Sequence, residues 1–393
     1  MQIELIDLDF VELPLKAPFE TSMGRESVKS AWLVTLWAEG IPGYAECVAD
    51  AHPFYTEETH ATVYYAWKND LVPRLAAQPI GDPETVSTRW TGVRGHRMAK
   101  AALEMAVWDW FGRARGIPLW RLLGGDPGRR QIPVGVSIGI QPSLEALKDL
   151  AIQYQAEGYQ RIKIKIKPGW DVLPVKTLRE ALGASMPMMA DANSAYRPDD
   201  AEDLARLDDF RLMMLEQPLA YDDLVDHQQL ARRLRTPICL DESIRSAEDA
   251  RRAFQMGACS VINIKPGRVG GYQEAKRIHD IAMERGYGVW CGGMLETGIG
   301  RAHNLHLSTL PNFRWPGDTS ASDRYFVEDL VDPPFQLNPD GTLSVPEGPG
   351  IGVYPDPDRL RRFRRYHETW RGQTLRISGG IPDDLFRGRG VQR

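Results

Sequence analysis

The sequence predicts an α/β protein: a barrel of alternating strands and helices, preceded by a smaller α+β domain. Three observations carry this. Short apolar runs alternate with helical patterns through the middle of the chain, the runs end at near-constant intervals, and roughly the first 125 residues read differently. With 393 residues, 42% apolar and 26% charged, the chain has length for two or three domains and enough apolar content for a large core.

In residues 1–125, alternating apolar runs near 3–13 and 31–38 predict an antiparallel meander. Helical patterns follow at 56–67 and 98–113. The barrel is read over 126–325, with candidate strands at 132–138, 161–166, 188–192, 212–216, 237–241, 260–265 and 287–291. Between them, Ser143 is a plausible N-cap for a helix that Gly158 closes. Ser246 with Asp249 resembles a capping pair before Gly257, and Gly286 ends the next helix. From Lys165 the strand ends recur after 26, 25, 25, 24 and 26 residues, at Asp191, Glu216, Asp241, Lys265 and Cys291. A strand, a helix and two short loops fill about 25 residues, and seven such units in a row predict a closed barrel. A doubly wound open sheet is the alternative. It calls for a glycine-rich phosphate loop, whereas Val134-Gly-Val-Ser-Ile-Gly lacks that form and Gly267-Arg-Val-Gly-Gly matches it weakly. Residues 326–393 are expected to return to the first domain. Five arginines between 359 and 365 read as a solvated helix face in preference to an anion site, and the stretch from Gln373 as a loosely attached tail.

Composition excludes several classes. The 48 basic and 53 acidic residues give a net charge of −5, against a nucleic-acid partner. Cys47, Cys239, Cys259 and Cys291 form no CxxC pair and read as buried thiols in a reducing compartment. The acidic amino terminus is no signal peptide, and no apolar stretch approaches the length of a membrane span. A soluble cytoplasmic protein without membrane partners is expected.

Catalytic residues of such barrels sit at the carboxyl ends of strands. Five successive strands here end in Lys165, Asp191, Glu216, Asp241 and Lys265. Singly, each has a plain explanation: Lys163, Lys165 and Lys167 alternate with isoleucines as on a wet strand face, and an aspartate after a strand often caps a helix. Together, on strands flanked by helices, they face the barrel interior, where unpaired charge is prohibitively costly. Three carboxylates on neighbouring strands ask for a divalent cation, and an all-oxygen donor set favours Mg²⁺ or Mn²⁺ over zinc. One lysine is left on each side. Lys163 beside Lys165, and Arg268 beside Lys265, are cationic neighbours that would lower the pKa of a lysine base. Metal-assisted abstraction of a proton α to a carboxylate fits this set.

Ile162-Lys-Ile-Lys, Asp191-Ala-Asn, Glu216-Gln-Pro, Asp241-Glu-Ser and Ile264-Lys-Pro-Gly-Arg-Val-Gly-Gly resemble successive strand-end motifs of the enolase superfamily, muconate-lactonising subgroup. Trp290-Cys-Gly-Gly-Met-Leu-Glu-Thr-Gly-Ile-Gly-Arg, Pro316-Gly-Asp-Thr-Ser-Ala-Ser-Asp-Arg and Thr21-Ser-Met-Gly are similar to the o-succinylbenzoate synthase / N-succinylamino acid racemase group. The resemblance covers residues 1 to about 355. It implies a modified (β/α)₇β barrel under an α+β capping domain. It further implies Lys165 and Lys265 as the acid/base pair, Asp191, Glu216 and Asp241 as Mg²⁺ ligands, Lys163 and Arg268 as support, and Glu242 behind the metal. Substrate contacts would come from Ser137, Asn193, Gly293 and Met294, and from Phe19, Thr21, Met23 and Tyr55 in the capping-domain lids at 19–24 and 52–55. The implied activity is dehydration of a succinyl-hydroxycyclohexadiene carboxylate on the menaquinone route, with racemisation of N-acylamino acids at the same site. A small carboxylate substrate and a homo-oligomer, dimer or octamer, are implied too. Mandelate-racemase relatives carry a histidine base that no strand end here offers, and dipeptide epimerases an Asp-x-Asp that Asp318-Thr-Ser breaks. Muconate cycloisomerase shares the lysines and remains a weaker rival. A non-catalytic metal-binding barrel is the reading from another class, and it would keep the acids without needing the lysines.

Overall fold

Two long strands open the chain. In the computed structural model, which describes residues 1–371, 385–386 and 391–392, β1 (Leu5–Glu20) and β2 (Arg25–Ala38) pair antiparallel, and β3 (Ile41–Cys47) adds to β2. The β2–β3 turn is Glu39-Gly40, both at positive φ (54° and 71°), which suits a two-residue hairpin. Leu8, Phe10, Trp32, Val34 and Leu36 bury against helix Arg97–Ala114 and the helical run that starts at His60. That run begins where Thr59 caps it, four residues later than the sequence pattern begins, and passes through a π turn at Trp67–Leu71.

The 132–138 run is divided in two. β4 (Gln131–Pro133) belongs to a small separate ribbon and β5 (Val136–Ile138) to the barrel, the change falling at Val134, which donates to Gly341, and Gly135, which donates to Gly317. From β5 the parallel sheet runs in sequence order through β6 (Ile162–Lys165), β7 (Met188–Asp191), β8 (Leu215–Glu216), β9 (Ile238–Leu240), β10 (Val261–Ile264) and β11 (Gly288–Cys291). Residues 313–318 close the ring. Arg314 and Asp318 donate to Val289 and Cys291 of β11 at 2.9 Å, while Gly135 donates to Gly317 at 2.7 Å. The result is the expected (β/α)₇β arrangement, with helix Leu144–Glu157 capped by Ser143 and ended by Gly158, and helix Ala247–Met256 capped by Ser246 and ended by Gly257.

β12 (Thr342–Ser344) pairs with β4, and β13 (Arg364–Arg371) returns to pair with β1. Beyond it, β14 (Val391–Gln392) pairs with the start of β2. Most of the expected tail lies outside the described residues. Of the five arginines expected on one helix face, Arg359, Arg361 and Arg362 lie on helix Pro357–Phe363, whereas Arg364 and Arg365 open β13; the five pair with Asp332, Asp358, Glu328, Asp9 and Glu12. All four cysteines are buried and free. Among the described residues no helix is long and apolar enough to cross a membrane.

What matters for the site is where the β1–β2 hairpin ends. Its tip, residues 21–24, is a turn closed by Thr21 N–H donating to Gly24 O at 2.9 Å. The tip sits on the carboxyl ends of the barrel strands: Ser22 Oγ donates to Ala192 O at 3.0 Å, and Ile140 N–H to Glu20 O at 2.8 Å.

Candidate active site

Alternation along β6 sends Ile162 and Ile164 outward to the helices and Lys163 and Lys165 inward. The next two strands end in Asp191 and Glu216, and Asp241 directly follows β9, each of the three at most 1% exposed, while Lys265 follows β10. The chain bends sharply after the first two acids, with Asn193 and Gln217 at positive φ (43° and 37°), the kind of local strain that functional sites carry. Gln217 repays its share: its Oε1 accepts from the backbone N–H of Asp241 (3.0 Å) and of Ser243 (3.2 Å), which fixes the Asp241 turn.

Each carboxylate faces a cation. Lys165 Nζ is 2.6 Å from Asp191 Oδ2 and 2.7 Å from Asn193 Oδ1, and Asn193 Nδ2 donates on to Glu242 Oε1 at 2.9 Å. Lys163 Nζ bridges Glu216 Oε2 (3.0 Å) and Asp191 Oδ2 (3.3 Å). Lys265 Nζ lies 2.8 Å from Asp241 Oδ2 and 2.9 Å from the Tyr55 hydroxyl, which itself donates to Asp241. Arg268 also pairs with Asp241, while its Nε donates to Ile244 O and its remaining nitrogen to Asn263 O. It was expected to act on Lys265 through space; the structure has the two cations share Asp241 and Tyr55.

The electrostatics follow. Burial opposes charge on Asp191, but Lys165 and Lys163 overcome it and hold the carboxyl below the usual range. Burial and the Asp191 charge push Glu216 up, and the same two causes push Glu242 up to about 7. Burial would pull Lys265 down, yet Tyr55, Glu216 and Glu242 outweigh it, so its ammonium is held well above the ordinary range.

These groups form the floor of a cleft of about 120 Å³. Lys163, Lys165, Lys265, Asn193 and Ser137 line it from the barrel, Gly293 and Met294 from the loop after β11, and Phe19, Thr21, Met23 and Tyr55 from the hairpin tip and the following loop. Every residue expected at the site is therefore brought to it, the acids and Arg268 lying beneath the lysines. Bare backbone is needed after β11: a Cβ on Gly292 would stand 2.6 Å from Lys265 Cε. Asn263, whose Nδ2 donates to Glu216 Oε1 at 2.7 Å, was missed, as were Arg161 and the role of Asp318.

The donor set suits a hard divalent cation. It is three buried carboxylates on adjacent strand ends, all oxygen, with Glu242 Oε2 buried and without a partner close by. Among the described residues no three acid, imidazole or thiol groups stand as a ready-made cage, and the carboxylates are paired with the ammonium groups of Lys163 and Lys265. The Lys163 ammonium between Asp191 and Glu216 marks where these carboxylates draw positive charge.

Comparison with known proteins agrees with this geometry. The mandelate racemase / muconate lactonizing enzyme N-terminal domain matches residues 5–124, and an enolase C-terminal domain-like family matches 146–359. An o-succinylbenzoate synthase of Geobacillus kaustophilus is 49% identical over 93% of this chain and 97% of its own. An N-succinylamino acid racemase of Thermus thermophilus is 47% identical over 93% of this chain and 99% of its own. A solved enolase-superfamily protein from Listeria innocua superimposes with a TM-score of 0.91 at 42% identity, over 95% of this chain and all of that one. Muconate lactonizing enzyme of Pseudomonas fluorescens gives 0.87 at 27% identity, over 93% and all.

Proposed function

The chain belongs to the enolase superfamily, in its mandelate racemase / muconate lactonizing branch, and on that premise we propose that it is an o-succinylbenzoate synthase that also racemises N-succinylamino acids. The observation that carries the reading is the pair of buried lysines, Lys165 and Lys265, on opposite flanks of three buried carboxylates. We assign Asp191, Glu216 and Asp241 to hold Mg²⁺ or Mn²⁺. When bound, that cation supplies positive charge against the substrate carboxylate and lowers the cost of the charge that builds as the α proton leaves.

The rest is done by this chain. In dehydration, Lys165 Nζ takes the α proton of 2-succinyl-6-hydroxycyclohexadiene carboxylate, and the ammonium so formed returns that proton to the hydroxide departing on the same side, which leaves as water and gives o-succinylbenzoate. Lys265 stays an ammonium beside the developing negative charge. In racemisation, one lysine takes the α proton from its face and the other, as its ammonium, delivers one to the opposite face. Phe19, Met23 and Tyr55 cover the cleft and limit water. The names of relatives favour this pair of reactions over muconate cycloisomerisation, whose named relative is 26% identical. A cytoplasmic homo-oligomer acting on small carboxylates completes the proposal.

The test is to assay both reactions in one metal-stripped preparation. Activity should vanish with the metal and return with Mg²⁺ or Mn²⁺. Full turnover of both substrates after rigorous stripping would end the proposal.

A further inference from the structure

Among the described residues, Lys163 is the cation that meets the most carboxylates. Three carboxylates meet its Nζ: Asp318 Oδ2 at 2.5 Å, Glu216 Oε2 at 3.0 Å and Asp191 Oδ2 at 3.3 Å. Only two of them are assigned to the divalent cation. A cation on Asp191 and Glu216 repels an ammonium bonded to the same oxygens, and a buried ammonium stripped of both partners is costly. Lys163 cannot retreat to water, since its side chain is 4% exposed and its Nζ lies 4.9 Å from the centre of the Trp290 ring.

Asp318 resolves the conflict. It arrives on the segment that closes the barrel, its backbone pinned by the N–H bond to Cys291 O at 2.9 Å. Its second oxygen is gripped by Arg161, which is fully buried, donates also to Gly317 O at 3.1 Å, and lies over the same Trp290 ring, 4.9 Å from its centre. The carboxylate is thus held rigidly at the one point from which it can keep Lys163 without touching the proposed metal ligands.

We propose that Asp318 is a positioning residue: it draws the Lys163 ammonium off Asp191 and Glu216, leaving those carboxylates available to the divalent cation. The inference rests on the assignment of those ligands. With Asp318→Asn, Lys163 falls back onto Asp191 and Glu216, and Mn²⁺ affinity drops by about tenfold to a hundredfold, the worth of one charge-assisted hydrogen bond.

Calorimetric titration of Mn²⁺ into full-length wild type, Asp318→Asn, Lys163→Met and the double variant tests it, with the melting temperature of each metal-free protein. The expected result is weak binding by Asp318→Asn and little further loss when that change is added to Lys163→Met. Unchanged affinity in Asp318→Asn, or an equal loss in the Lys163→Met background, would overturn the proposal, the latter showing an effect not routed through Lys163. If Asp318→Asn does not fold, Lys163→Met decides alone: it should bind Mn²⁺ at least as tightly as wild type, and weaker binding sinks the idea. A wild type that binds no Mn²⁺ would instead remove the ligand assignment itself.

Discussion

Lys165 ends β6 and Lys265 directly follows β10, the second and sixth of eight positions around the closed ring, so they face one another across the barrel axis. A substrate fixed between them by its carboxylate shows each lysine a different face of its α carbon, and neither lysine can serve both. Replacing Lys265 by alanine should therefore silence one face alone. The variant should fold, because Asp241 keeps Arg268 and the Tyr55 hydroxyl and is not left as an orphaned buried charge. A positioned general base is worth about 10²–10⁴-fold, or roughly 3–5 kcal/mol of barrier. The assay is proton NMR of the α position of N-succinyl amino acids in deuterated water, run separately on each enantiomer. Exchange of one enantiomer should fall by that factor while the other stays within a few-fold of wild type, and racemisation should fall with the slower face. Loss of Lys265 that slowed both enantiomers equally, or neither, would refute the two-face argument.

Two more expectations follow from buried groups. Arg268→Gln removes a guanidinium that is 1% exposed and breaks a buried pair with Asp241, at a cost of about 3–5 kcal/mol, read as a lowered melting temperature; with Lys265 left as the remaining cation on Asp241, kcat/KM for racemisation should fall more than for o-succinylbenzoate formation, and equal losses would reduce the effect to folding. Glu104, fully buried on helix Arg97–Ala114, is pushed from 4.5 up to about 8 by burial, against the N–H groups of Gln273 and Trp108 that it accepts from. A raised carboxyl binds its proton more tightly folded than unfolded, so its stabilisation is full below pH 4.5 and is lost as pH rises towards 8. Glu104→Gln keeps the shape without the titration: thermal melts should lie close to wild type near pH 5 and gain on it by on the order of 5 kcal/mol above pH 8, and parallel pH profiles would show the charge is tolerated.

The barrel and its catalytic ring were legible because one physical constraint wrote them twice. A parallel strand needs a crossover of near-constant length, and an inward-facing position must alternate with outward ones, so chemistry recurs at fixed spacing and fixed parity. The same rule could have yielded more. Arg161 shares the inward parity of Lys163 and Lys165, and Asn263 that of Lys265. Asp318 stands 27 residues after Cys291, one more repeat along, although an irregular segment there gave no apolar run to mark it. The contacts between cap and barrel obey no such rule. Tyr55 reaches Asp241 across 186 residues, and that meeting depends on how a hairpin tip and a loop lie on the barrel mouth, which neither periodicity nor propensity encodes. Sequence position likewise suggested that Arg268 acts on Lys265, when what joins them is the carboxylate both of them hold. Charges that are close along the chain act on each other through whichever counter-ion the fold sets between them, and only the fold reveals that counter-ion.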